Sequence, residues 1–103
     1  MRFSGKHFIV TGAASGIGAQ TARKMKEGGA MVTALDINEP TGDFDHFIQV
    51  NMGDLGAIDA AVAGLDQTYD GLMNIAGVPP RDDNAALILQ VNFFGLRHFT
   101  DQV

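Results

Sequence analysis

The sequence predicts an α/β protein in which one parallel sheet is covered by helices on both faces. Short apolar segments recur along the chain, and segments rich in good helix formers follow most of them. The first and fourth apolar segments are each followed within two residues by a glycine, as buried parallel strands often are. Because parallel strands need crossover connections, this alternation favours a doubly wound sheet.

In the first half of the chain, strands are predicted at residues 7–10 and 31–35, the second ending at the acidic Asp36. Between them, residues 15–28 are rich in helix formers, carry basic side chains near the end and stop at two glycines. Residues 38–45 contain proline and glycine, so we expect a loop that is too short for a good crossover helix.

In the second half, a third strand is predicted at residues 47–50 and a helix at 54–65, where apolar residues recur at helical spacing. The fourth strand is predicted at 71–75. A polar residue within 82–84 is expected to cap a last helix that runs through Thr100.

Composition excludes several classes of function. The 103 residues suit one domain, and a net charge of −5 without a basic cluster argues against nucleic acid or an anionic membrane as partner. The chain has no cysteine, so disulfides and thiolate metal ligands are excluded. Without a signal-peptide core or an apolar run of about 18 residues, we expect a soluble, cytoplasmic protein.

Two further groups of residues are expected to be functionally silent. The histidines, His7, His46 and His98, are scattered and lack carboxylates at ligand spacing, so no metal site is expected. The acidic pair Asp43 and Asp45 is interpreted as a solvated loop.

The turn Thr11–Gly18, with the sequence Thr-Gly-Ala-Ala-Ser-Gly-Ile-Gly, has the features of a phosphate-binding turn between strand and helix. Gly12, Gly16 and Gly18 permit a tight turn and close approach of the backbone to a pyrophosphate. The helix that begins there presents free N–H groups and about half a unit of positive charge to the anion. The alternative is a plain turn, but the strand before it and the helix after it favour a dinucleotide site.

Asp36 favours NAD as the dinucleotide. A carboxylate at the end of the second strand can accept both hydroxyls of the adenosine ribose, and it repels a 2′-phosphate. Neither Ala13 nor Ala14 offers a basic side chain that would neutralise that phosphate. A solvated aspartate at a strand end is the alternative.

With these residues the chain resembles the short-chain dehydrogenase/reductase family. The family's Thr-Gly-xxx-Gly-x-Gly motif matches Thr11–Gly18, its Asn-Asn-Ala-Gly motif appears as Asn74–Gly77, and the asparagine of the following helix is Asn92. The run from Asn92 to His98 and the short stretch before it look like the branch that holds coniferyl-alcohol and 3α-hydroxysteroid dehydrogenases. The resemblance implies a Rossmann-like doubly wound sheet, here its N-terminal portion with about four strands in the order 3-2-1-4.

The resemblance also implies roles for matching positions. The pyrophosphate and the nicotinamide side would be lined by Gly12, Ser15, Gly16, Ile17 and Gly18. Asn51 replaces the aspartate that usually bonds the adenine amino group, with Met52 beside it. The ribose region would be bordered by Asn74, Ala76 and Gly77, while Ile75 replaces the second asparagine of the motif.

Asn92 would belong to the family's catalytic Asn-Ser-Tyr-Lys set and help to hold a water in the proton relay. A helix-interior asparagine bonded to neighbouring backbone is the alternative interpretation. The only tyrosine, Tyr69, is followed four residues later by Met73 in place of the required lysine, and it precedes the fourth strand. It therefore cannot be the proton donor.

The resemblance thus implies that residues 1–103 form an NAD-binding Rossmann domain that is incomplete at its C-terminal end. As part of a longer chain it would act on an alcohol or ketone and assemble as a homodimer or homotetramer. The alternative is an NAD-binding fragment that catalyses nothing.

Overall fold

The computed structural model describes residues 2–14, 16–42, 44–65, 68–77, 86 and 89–103. It confirms the predicted fold class, a parallel sheet flanked by helices. The elements are β1 (His7–Thr11), α1 (Gly16–Glu27), β2 (Met31–Asp36), β3 (His46–Gln49), α2 (Leu55–Ala63), β4 (Gly71–Asn74), a π-helical segment (Gln90–Gly95) and α3 (Leu96–Gln102).

The sheet has the order β3-β2-β1-β4, and every pair of neighbours is parallel. Thr11 at the end of β1 lies opposite Leu35 on one side and Asn74 on the other. The chain leaves β1 towards β2 and β3 and later returns to place β4 on the opposite side of β1. The carboxyl ends of β1 and β4 therefore form a topological switch point, where open α/β sheets bind ligands.

The core has two layers because successive side chains of a strand face opposite sides of the sheet. In β1, Ile9 and Val10 are both fully buried but belong to different clusters. Ile9 packs in the cluster that contains Ile58 of α2 and Phe99 of α3. Val10 packs in the cluster that contains Ala22 of α1. Helices thus cover both faces, as the alternation predicts.

The loop between β2 and β3 is helix-free in its described residues, 37–42 and 44–45, as predicted. Asp45 is exposed in this loop, as interpreted from the sequence, but its carboxylate also makes bonds that were not predicted. Its carboxylate accepts the Val32 N–H at 2.7 Å and the Lys26 ammonium at 2.8 Å from both oxygens. Partial burial raises the pKa of Asp45, but the bonds from Lys26 and Val32 outweigh it and hold that pKa below its ordinary value. Asp43 lies outside the described residues.

The histidines are less scattered than their sequence positions suggest. The rings of His7 and His46 lie 6.1 Å apart, and His7 Nε2 hydrogen-bonds with the Thr33 hydroxyl at 2.7 Å. His98 donates to the Asp59 carboxylate at 2.7 Å, a bond between α3 and α2 that lowers the pKa of Asp59. Among the residues that the structure describes, no three histidine, aspartate or glutamate side chains cluster closely enough to hold a metal ion.

The last helix differs from its prediction. Its α-helical part extends to Gln102, two residues past the predicted end, and the segment before it is π-helical and contains Asn92. Such segments are rare and are frequent at functional sites. The predicted cap within residues 82–84 lies outside the described residues. In the described part of the chain, no helix is long and apolar enough to cross a membrane.

Candidate functional site

The hydroxyl of Thr11 joins the carboxyl end of β1 to that of β4. It accepts the N–H groups of Ile75 at 3.0 Å and Ala76 at 3.1 Å, and it donates to the Met73 carbonyl at 3.4 Å. Thr11 is only 1% exposed, so its hydroxyl satisfies these two backbone N–H groups where water has little access. The glycine turn and the segment after β4 are thereby held side by side.

Gly12 is required both by its backbone conformation and by its surroundings. Its φ of +68° lies in the left-handed region that side chains disfavour. A Cβ at this position would also lie 2.8 Å from the backbone N and Cα of Ala76. Any side chain would therefore push apart the two loops that Thr11 joins.

The other two glycines of the turn meet different requirements. A Cβ on Gly18 would overlap the carbonyl oxygen of Gly12, so this glycine lets α1 pack directly on the end of β1. Gly16 has a φ of +60°, but a Cβ there would meet nothing within 4 Å. The backbone at Gly16, where α1 begins, therefore borders open space, which is where an anion would bind the free N–H groups of the helix.

The carboxylate of Asp36 bridges two loops. Oδ2 accepts the Ala14 N–H of the glycine turn at 2.9 Å, and Oδ1 accepts the Asn38 N–H at 3.0 Å. On the neighbouring strand, the Gln49 amide donates to the Ile37 carbonyl at 3.0 Å and holds the same turn from the other side.

The environments of Ala13 and Ala14 refine the cofactor argument. Ala13 is 2% exposed and packs in the core with Val10, so a basic side chain would not fit there. Ala14 is half-buried at the surface of the turn. Of the two positions, Ala14 alone offers a place for a side chain that would neutralise a 2′-phosphate.

The glycine turn, the end of β2 and the segment after β4 enclose a cleft of about 530 Å³, within the range of small-molecule and cofactor sites. Most of the predicted cofactor-binding residues meet there, together with apolar residues that the sequence reasoning did not include. The lining residues are Gly12, Ile17, Asp36, Ile37, Val50, Asn51, Met52, Ile75, Ala76, Gly77 and Val91.

The missed lining residues have recognisable positions. Val50 and Ile37 directly follow β3 and β2, so their place at the carboxyl edge of the sheet was a usable signal. Val91 belongs to the π-helical segment and reaches the cleft only through the tertiary fold. Ile17 and Ile37 are 75% and 52% exposed, which leaves apolar surface at the mouth of the cleft.

Asn74 does not line the cleft. Its Nδ2 donates to the Thr100 hydroxyl at 3.0 Å. Thr100 donates in turn to the Leu96 carbonyl at 2.7 Å, so its hydroxyl must accept from Asn74, and this fixes the orientation of the amide. The Asn74 Oδ1 is buried and has no hydrogen-bond partner within the described residues. Ser15, the remaining predicted residue of the glycine turn, lies outside them.

Asn51 lies at the cleft, but its acceptor atom is already engaged. Oδ1 accepts the Gly53 N–H at 2.8 Å, and the backbone carbonyl accepts the Asp54 N–H at 3.0 Å. The amide thereby shapes the turn that leads into α2, whose N-cap is Asp54.

Asn92 is exposed, and its side chain lies beside the end of β4. A Cβ on Gly77 would lie 3.3 Å from the Asn92 Oδ1. Tyr69 lies at the edge of the sheet formed by the amino ends of the strands, opposite the cleft, where its ring is 4.5 Å from that of His7. Tyr69 is therefore remote from the cleft.

These features fit an adenine dinucleotide. The open space over Gly16 and the start of α1 suits a diphosphate, and the Asp36 carboxylate suits a ribose diol. The apolar side chains of Ile37, Val50 and Met52 offer contact surface for a flat ring.

Known proteins are similar to this chain in both sequence and fold. The family model described as short chain dehydrogenase matches residues 6–103. Coniferyl-alcohol dehydrogenase of Pseudomonas sp. (strain HR199 / DSM 7063) is 42% identical over 103 residues, which cover 100% of this chain and 40% of that protein. The 3-alpha-hydroxysteroid dehydrogenase/carbonyl reductase of Comamonas testosteroni is 28% identical over 93 residues, 90% of this chain and 35% of that protein.

Solved structures of similar proteins have the same fold as this chain. A short chain dehydrogenase/reductase family protein superposes with a TM-score of 0.84 at 27% identity, over 99% of this chain and 49% of its own. A short chain dehydrogenase from Leptospira borgpetersenii, solved with bound NAD+, has a TM-score of 0.85 at 22% identity, over 98% of this chain and 45% of its own. The chain thus spans less than half the length of these relatives. It belongs to the short chain dehydrogenase family.

Proposed function

We propose that the protein is an NAD(H)-dependent oxidoreductase that transfers a hydride between nicotinamide and an alcohol or carbonyl substrate. The observation that carries the proposal is the place of Asp36, in the cleft and bonded to the glycine turn. A carboxylate there accepts the hydroxyls of an adenosine ribose and repels a 2′-phosphate, which favours NAD over NADP.

The other residues of the cleft would each bind a different part of the dinucleotide. The free N–H groups at the start of α1 would bind the diphosphate, assisted by the helix dipole. Ile37, Val50 and Met52 would contact the adenine, and Asn92 would present an amide beside Gly77 at the far end of the cleft. NAD would supply the hydride acceptor, while the protein orients the reactants.

The substrate class is inferred from the relatives. Coniferyl-alcohol dehydrogenase and 3-alpha-hydroxysteroid dehydrogenase are both named for alcohol substrates, so we propose an alcohol or ketone here. Assembly as a homodimer or homotetramer and a cytoplasmic location stay predictions of the family resemblance and of the composition.

A second candidate function is NAD binding without turnover. The observation that favours it is the remoteness of Tyr69, the only tyrosine, from the cleft. Proton transfer to or from an alcohol needs a positioned acid or base within hydrogen-bond reach. NADH formation in the presence of an alcohol would distinguish the two candidates, because the second binds NAD but forms no NADH.

The direct test is calorimetric titration of the purified protein with NAD and with NADP. We expect NAD to bind about tenfold more tightly or better, since an unneutralised like-charge contact costs NADP at least that factor. Equal binding of the two, tighter binding of NADP, or no binding of either would contradict the proposal.

A further inference from the structure

The Asp36 carboxylate is bound by the protein itself. Each oxygen already accepts a backbone N–H, one from Ala14 and one from Asn38. A carboxylate offers about four lone-pair sites, so two remain for ribose hydroxyls. The bonds within the protein therefore need not compete with a nucleotide.

The bond to Ala14 lies at a critical point of the glycine turn. The beginning of the turn is held by the Gly12 N–H, which donates to the Leu35 carbonyl at 2.8 Å, and by the buried methyl of Ala13. Ala14 is where the turn leaves the core for the start of α1 at Gly16, which faces open space. The Asp36 oxygen, 2.9 Å away, holds this outer part.

Loss of this bond would affect a part of the site that Asp36 does not touch. A hydrogen bond to an ionised acceptor is about twice as strong as one between neutral groups. Binding of a diphosphate at the start of α1 requires the turn to be in its binding shape. If that shape is populated for only a fraction of the time, the apparent affinity is the intrinsic affinity multiplied by that fraction.

We propose that Asp36 is also a positioning residue for the diphosphate site, because it holds the glycine turn in shape through the Ala14 N–H. This inference rests on the proposed function and deepens it. One carboxylate would select the ribose directly and support diphosphate binding indirectly.

The test compares ADP with 2′,3′-dideoxy-ADP, which keeps the diphosphate but has no ribose hydroxyls for Asp36 to bind. Calorimetric affinities are measured for the unmodified protein, Asp36→Ala and the control Asp70→Ala. Asp70 also accepts a backbone N–H, from His7 at 2.8 Å, but precedes β4 at the opposite edge of the sheet. We expect Asp36→Ala to weaken dideoxy-ADP about tenfold, and Asp70→Ala to leave it unchanged.

The outcomes separate the two proposals. If Asp36→Ala weakens ADP but binds dideoxy-ADP as tightly as the unmodified protein does, Asp36 acts on the ribose alone and the inference is overturned while the proposed function stands. If the unmodified protein binds neither nucleotide, both fail.

Amide hydrogen exchange of Asp36→Asn without nucleotide gives a second measurement that needs no binding. The two N–H groups bind different oxygens of the carboxylate, and the amide side chain keeps only one of these acceptors, so it cannot accept both groups in the same geometry. The Ala14 and Asn38 amides together should lose protection, while the Gly12 amide, which donates to Leu35, keeps its rate as an internal control. Unchanged exchange at both Ala14 and Asn38 would contradict the inference.

Discussion

Replacement of Thr11 by valine tests whether one hydroxyl joins the two loops of the site. Valine has nearly the same shape, so the change removes the acceptor of the Ile75 and Ala76 N–H groups and the longer bond to the Met73 carbonyl, with little change in packing. A buried N–H without a partner costs about 1–3 kcal/mol. Both groups adjoin the cleft, where water can replace part of the loss, so we expect about 2 kcal/mol in the free energy of unfolding. For a domain of this size that lowers Tm by about 10 °C.

The assay combines urea unfolding with amide hydrogen exchange, and Thr11→Ser is the matched control. Serine keeps the hydroxyl and loses a buried methyl, which costs about 1 kcal/mol. Both variants are therefore less stable, but only valine should speed exchange at the Ile75 and Ala76 amides beyond the global change. The reasoning is refuted if Thr11→Val leaves those two amides as protected as Thr11→Ser does.

Three further predictions concern the cofactor preference, the glycine turn and the acid stability. Asp36→Arg should reverse the preference from NAD to NADP, because it exchanges a ribose acceptor for a phosphate partner; an unchanged ratio of the two dissociation constants would remove Asp36 from the argument. Gly16→Ala should lower the free energy of unfolding by about 1–2 kcal/mol, because of its positive φ alone. Gly12→Ala should lower it clearly more, because its Cβ would also contact the backbone of Ala76. Equal losses in denaturant titrations of the two variants would contradict this reasoning. The lowered pKa of Asp45 means that its bond to Lys26 stabilises the fold above its ordinary pKa of 3.8 and that this contribution is lost as the pH falls through the lowered pKa. Asp45→Asn should therefore show a weaker loss of stability on acidification, and an identical pH profile would exclude the effect.

The sheet and the glycine turn were predictable because they depend on local patterns. Apolar runs that end at glycine located β1 and β4 to within one residue, and Asp36 was identified by its place at a strand end. The partners of these elements were not predictable in the same way. The contact between Gly12 and Ala76 joins residues far apart in the sequence, and only the parallel pairing of β1 with β4 brings them together.

The hydrogen-bond partners of polar side chains were not predictable for a related reason. A carboxylate in a loop looks the same in the sequence whether or not it has partners in the protein, so the bonds of Asp45 with Lys26 and Val32 were not predicted. Asn74 was predicted at the ribose region from its motif, but its amide bonds to Thr100 on α3. The local pattern also did not predict the π-helical segment that contains Asn92.

The most direct test of the account is a chemical-shift titration of the isotope-labelled protein with NAD. The account predicts that the amides of Gly12, Asp36, Met52 and Ala76 shift together and saturate at one dissociation constant, because these residues line one cleft. Amides near Tyr69, at the opposite edge of the sheet, should stay in place. Shifts confined to that opposite edge, or no shifts at all at millimolar NAD, would contradict the claim that this cleft holds the cofactor.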